Sequence, residues 1–143
     1  MSTASSATGR GLVARLSWPQ VVVGVVALWY LVMGITGFAL HDGMGPESSR
    51  TVWVFGVSTL LNIMHTAVGV LALIATRKAV TARLFGWASF FAFAGLTAYS
   101  ILATVLDEWG DLVNVKAANA WLYGATCLIG LVLALGGVRT RRP

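Results

Sequence analysis

The stretch LNIMHTAVGVLAL, residues 61–73, lies inside a run from Thr51 to Thr76 that holds no Asp, Glu, Lys or Arg. Within it stand an asparagine, Asn62, and a histidine, His65. Three more uncharged runs accompany it: Leu16 to Leu40, Leu84 to Leu106, and Ala117 to Val138. Each is near or above the ~20 residues that cross ~30 Å of hydrocarbon as a helix. A soluble core helix rarely runs past ~20 residues without a charge. The predicted fold is therefore an all-α membrane protein with four transmembrane helices, at about 17–40, 52–76, 84–106 and 117–138.

Composition agrees. Of 143 residues, 57% are hydrophobic and 10% charged, with a mean hydropathy of +0.81. Soluble domains carry about 25% charged residues, so this chain lacks the groups to cover a water-facing surface. One domain, residues 16–138, is expected. A small, polar N-terminal segment, 1–15, reads as a disordered tail, and 139–143 as a basic one. In SWPQ, Ser17 is placed to cap the first helix, with Pro19 in its first turn. The first span is too long for a signal-peptide core, and no A-x-A-like site follows GFALHDG, so it is expected to be retained.

The basic residues set an orientation. Arg10, Arg15, Arg77, Lys78, Arg83, Arg139, Arg141 and Arg142 fall on one side, and Arg50 and Lys116 on the other. The positive-inside bias then puts both termini in the cytoplasm. The net charge of +5 is accounted for at helix ends and by attraction to anionic lipid, with no nucleic-acid partner. All five acidic residues, Asp42, Glu47, Asp107, Glu108 and Asp111, fall on the outer side. They read as solvated loop charge or as a docking patch for a basic partner; the calcium-loop spacing is absent. Trp18, Trp53, Trp109 and Trp121 lie near span ends, as interfacial aromatics do. The single cysteine, Cys127, reads as an inert packing thiol.

The chain repeats itself. WYLVMGITGF (29–38) aligns without gaps over FFAFAGLTAY (90–99) at an offset of 61, and the same offset carries Gly69 onto Gly130. The unit is a helical hairpin, and two tandem copies would relate by a pseudo-twofold axis along the membrane normal. Short connections make sequential helices antiparallel neighbours in a four-helix bundle. Small residues such as Gly34, Gly69, Gly95 and Gly130 supply the close approach that holds membrane helices together.

Ser58, Asn62, His65 and Gly69 recur at i, i+4, i+7 and i+11, one face of a helix. Asn119, Tyr123, Thr126 and Gly130 repeat that spacing in the fourth span. Polar groups in a membrane turn to the protein interior, so the two stripes face each other or face Thr36 and Thr97. They serve as interhelical packing bonds or as contacts for a lipid or quinone. His65 lies ~20 Å below the outer boundary by helical rise, whereas His41 sits at the end of the first span, so the two cannot sandwich one haem. With no acidic or basic residue inside a span, a proton relay lacks partners, and His65 and Cys127 have no base or nucleophile to pair with. No cofactor, metal site or catalytic residue is assigned.

The motif LNIMHTAVGVLAL, with Asn62, His65 and Gly69, together with NAWLYGATCLIGLVLALGG in the fourth span, resembles a largely actinobacterial family of four-helix membrane proteins of unknown function. The resemblance covers about residues 21–137. It implies a fold and a location but no activity. Where that family commonly shows a second histidine, this chain has Tyr123, which argues against models needing histidines on both sides of the bundle. The expected function is a non-catalytic accessory or scaffold subunit of a larger plasma-membrane complex, respiratory by analogy alone. The alternative is a protein that binds a small lipophilic ligand at Asn62, His65 and Tyr123.

Orientation is directly testable. In a Cys127→Ala background, Gly45→Cys should react with a membrane-impermeant thiol reagent in intact cells. Ser5→Cys and Arg141→Cys should react only after the cells are opened; the reverse pattern would invert the topology.

Overall fold

The computed structural model describes residues 16–40, 51–106 and 113–136. The five acidic residues and both terminal tails lie outside these. The elements run α1 (Trp18–Leu40), β1 (Thr51–Val52), β2 (Phe55–Gly56), α2 (Thr59–Ala75), α3 (Ala79–Val105) and α4 (Ala117–Leu135). α1, α3 and α4 are long and apolar enough to cross a membrane, while α2, at 17 residues, is shorter and rises about 25 Å. Strongly apolar side chains face outward, among them Val25, Leu28, Phe91 and Trp121. Such a surface suits hydrocarbon. The chain is an all-α membrane protein.

Two helix starts differ from those expected, and α4 ends at Leu135 rather than near 138. The second helix does not begin near residue 52. Residues 51–56, TVWVFG, instead pair as an antiparallel ladder, Thr51 opposite Gly56 and Val52 opposite Phe55. β-branched and aromatic residues favour the pleated conformation, and their apolarity let them pass for the start of a span. Trp53 takes the turn with φ 55°, and its ring lies 5.8 Å from that of Trp29. α2 begins only after Ser58, whose hydroxyl accepts from Leu61 N at 3.3 Å, an N-cap bond. The third helix begins five residues early, at Ala79, and so takes in Arg83. Its guanidinium Nη2 donates to the Ala134 carbonyl at 3.3 Å, near the end of α4.

Ser17 stands at the head of α1, but the roles are reversed from those expected. Gln20 Oε1 accepts from Ser17 N at 3.0 Å and from Ser17 Oγ at 2.7 Å. Gln20 Nε2 in turn donates to the Thr76 carbonyl at 2.7 Å, which pins the start of α1 to the end of α2. These contacts define one end of the bundle, the tail end. The β pair and the starts of α2 and α4 form the other, the head end.

α1 packs along α2, and α3 along α4; contacts between the two hairpins are sparser. Within each hairpin the backbones come close. A β-carbon on Gly130 would lie 2.8 Å from Phe90 N and 2.9 Å from Gly86 O, so only glycine lets α3 and α4 meet there. The buried residues of α2 and α4 repeat at alternating spacings of three and four, the seam of left-handed helix packing.

The repeat is real, but its register differs between helices. In α2 and α4 the offset of 61 holds: Asn62, His65, Gly69 and Ala72 are buried, as are Tyr123, Thr126, Gly130 and Leu133. In α1 and α3 it fails. Tyr30 is 1% exposed but Phe91 67%, and Gly34 is buried while Gly95 is open. An offset of 63 restores the match, pairing Pro19, Val23, Val26, Tyr30 and Gly37 with Ala82, Gly86, Ser89, Phe93 and Ser100, all buried. Two residues turn a helix by ~200°, so the gapless alignment laid the core face of α1 over the lipid face of α3.

The register predicts an asymmetry. Phe93→Ala should cost about 3–5 kcal/mol in detergent unfolding, and Phe91→Ala less than about 1 kcal/mol. A costlier Phe91→Ala would overturn the offset of 63.

Candidate functional site

The helices bring one ring each to the centre of the bundle. Tyr30 of α1 lies 5.5 Å from His65 of α2, and His65 lies 6.0 Å from Tyr123 of α4. Phe93 of α3 closes the circuit at 5.7 Å from Tyr123 and 5.4 Å from Tyr30. All four side chains are essentially fully buried. The tilted contacts suit the ring quadrupoles, and the circuit spans both seams between the hairpins.

Hydrogen bonds overlay this ring. His65 Nε2 and Tyr123 OH are 3.2 Å apart. Tyr30 OH and Thr126 Oγ1 are 2.8 Å apart, and Thr126 Oγ1 also donates to its own helix at Leu122 O, 2.9 Å. The stripes of α2 and α4 thus meet each other. Thr97 does not join them, since its hydroxyl donates to Phe93 O at 2.6 Å within α3.

At the head end Asn119 organises the backbone. Its Oδ1 accepts from Gly56 N at 2.9 Å and from Lys116 N at 3.0 Å, and its Nδ2 donates to Gly56 O at 3.2 Å. One side chain therefore caps α4 and continues the β ladder. Asn114, held at φ 53°, donates through Nδ2 to Val57 O at 2.8 Å. Its carbonyl presses on Gly56 so closely that no β-carbon fits there.

Asn62 behaves differently. It is fully buried, its amide lies against Gly37 of α1, and neither Nδ2 nor Oδ1 has a hydrogen-bond partner. One turn on, His65 Nδ1 and Thr66 Oγ1 are also buried without one, as is Ser100 Oγ. Thr66 lies against Gly34. Most buried polar side chains, Ser58, Asn62, His65, Ser100, Asn114, Asn119 and Thr126, occupy the head half and centre of the bundle. The tail half is filled by Val23, Ala72, Ala75, Ala82 and Leu133.

Of the residues singled out in sequence, Ser58, Asn62, His65, Asn119, Tyr123 and Thr126 are all interior. Sequence reasoning missed Tyr30, Phe93, Thr66 and Asn114. Tyr30 and Phe93 had no signal in an aromatic-rich run. Asn114 had one, as the sole amide in LVNVK just before a span. Cys127 is half-buried, its thiol 3.5 Å from Phe90 O. Among the described residues, no group of three or more His, Cys, Asp or Glu side chains could hold a metal ion.

The chain belongs to the family described as Domain of unknown function (DUF4383), whose model matches residues 20–136. No curated protein and no solved structure matches it. The matched span takes in nearly all of the four helices and the whole aromatic circuit.

The hydrogen bonds should not be equal in effect. Asn119→Ala strands the Gly56 amide and carbonyl together and should destabilise by about 2 kcal/mol or more. Tyr30→Phe leaves Thr126 its bond to Leu122 and should cost less than about 1 kcal/mol. Chemical denaturation in micelles ranks the two; equal losses would refute this division of roles.

Proposed function

We propose that the protein is a non-catalytic accessory or scaffold subunit of a larger plasma-membrane assembly, and that it receives a partner's transmembrane helix on α3. The carrying observation is Gly95. Glycine inside a helix costs roughly 0.5–1 kcal/mol relative to alanine. Gly69, Gly86 and Gly130 have a reason within the chain, because a β-carbon at each would lie within 3 Å of a neighbouring helix. At Gly95 a β-carbon would meet nothing within 4 Å. The bundle does not require this glycine, whereas a closely approaching outside helix would.

The surroundings agree. Ala88 and Ala92 are exposed on the same face of α3 as Gly95, at the i, i+4 and i+7 spacing that lines up on one side of a helix. Ala88 and Ala92 also border a shallow groove against Val68 and Leu71 of α2. Between membrane helices, attraction comes from close packing at small residues, since lipid is as apolar as any side chain. The non-catalytic reading is supported by His65, whose Nε2 meets the Tyr123 phenol in the bundle interior. With the head end outward, as the charge bias directs, the acidic loops would add an outer contact for a basic partner.

The test is purification in mild detergent from the native membrane. The wild-type chain should elute in a larger complex. Gly95→Leu should release it as a free chain whose melting temperature is no lower than that of the isolated wild-type chain, because a β-carbon there meets no internal neighbour and glycine is the poorer helix former. A wild-type chain that elutes alone, or a Gly95→Leu complex that stays intact, would count against the proposal.

A further inference from the structure

We propose that Asn62, His65 and Thr66 form a binding site, inside the bundle, for a neutral hydroxyl group. That group is supplied either by water or by the alcohol end of a membrane lipid. The three residues occupy one turn of α2, at i, i+3 and i+4, and so form a single patch. Asn62 is 0% and His65 2% exposed. Four of the patch's polar atoms, Asn62 Nδ2 and Oδ1, His65 Nδ1 and Thr66 Oγ1, have no partner within the protein. Asn119, by contrast, has its amide met by three backbone bonds. Native proteins leave few buried polar atoms unpaired, and a concentration of them calls for a ligand.

The donor and acceptor inventory selects the ligand's chemistry. Asn62 presents an amide donor and a carbonyl acceptor side by side, and Thr66 offers both in one oxygen. A partner that only accepts, such as a quinone carbonyl, would leave Asn62 Oδ1 unmet. A cation would leave Nδ2 opposed to positive charge, and an anion would oppose Oδ1. A hydroxyl donates and accepts through one atom and meets both. His65 adapts further, because its Nδ1 donates or accepts according to tautomer while Nε2 stays with Tyr123.

The patch abuts the glycines of α1. Asn62 and Thr66 face Gly37 and Gly34 of α1, where no side chain competes with theirs. A lipid alcohol would have to arrive from the bundle surface. A groove between α1 and α4, lined by Val25, Trp29, Leu122 and Ile129, reaches Tyr30 and Thr126. The Tyr30 ring, part of that groove's lining, also contacts the His65 ring at 5.5 Å.

The experiment has two arms, run on the full chain. In the first, protein purified in mild detergent is extracted with organic solvent, and hydroxyl-bearing lipids are quantified per chain by mass spectrometry. In the second, the chain, labelled with ¹⁵N at its three asparagines, is placed in vesicles of deuterated phosphatidylcholine. Magnetisation transfer from water to the Asn62 side-chain amide is then measured by solid-state NMR. A stoichiometric lipid alcohol identifies the first source, and a water cross-peak at Asn62 the second. Asn62→Leu should abolish a bound lipid alcohol, and for either source the near-isosteric Thr66→Val should weaken occupancy about tenfold. Finding neither species in the wild-type protein, or the same occupancy in Thr66→Val, would overturn the proposal.

Discussion

Everything in this structure follows from the weakness of the hydrophobic effect inside a membrane. Where the surroundings are hydrocarbon, moving a leucine from lipid to protein changes little, and helices adhere through close contact and hydrogen bonds. The chain accordingly turns its bulkiest apolar side chains outward. It reserves its interior for glycine, alanine, aromatic rings and amides. The close approaches at Gly69 and Gly130 knit each hairpin. The circuit of Tyr30, His65, Tyr123 and Phe93 joins one hairpin to the other.

The same physics decides what could be read from the sequence. In α2 and α4 the core face is written in polar residues against an apolar background, so the spacing of Asn62 and His65, and of Asn119 and Tyr123, was legible. In α1 and α3 the core face is written in the same apolar, aromatic and small residues as the lipid face, with only the small Ser89 and Ser100 as buried polar groups. Tyr30 stands beside Trp29, and Phe93 close to Phe90 and Phe91, and nothing in composition says which ring turns inward. That is why the repeat was found in all four helices but its register was correct only in two. The ladder at residues 51–56 was hidden for a related reason, since a strand that packs against membrane helices is as apolar as the helices themselves.

The interior is graded along its length. At the tail end it is dry and close-packed, around Val23, Ala72, Ala82 and Leu133. Toward the head end, amides and hydroxyls replace methyl groups, until Asn119 and Asn114 are bonding directly to the backbone of the β pair and its flank. His65 sits where the two halves meet. Its placement made it conspicuous in sequence, but its partners Tyr30 and Tyr123 come from distant helices. A single-chain reading had a signal for Tyr123 and none for Tyr30.

The covalent link between the hairpins is only residues 76–78, and it lies at the tail end, where Thr81 Oγ1 of α3 also donates to Ala75 O of α2 at 2.9 Å. A joint that short can pivot but cannot stretch. The two hairpins are therefore leaves on a common spine, and any parting between them has to be widest at the far edge. That far edge is the one that has to be fastened, and Asn119 and Asn114 fasten it, bonding from the second hairpin to Gly56 and Val57 of the first.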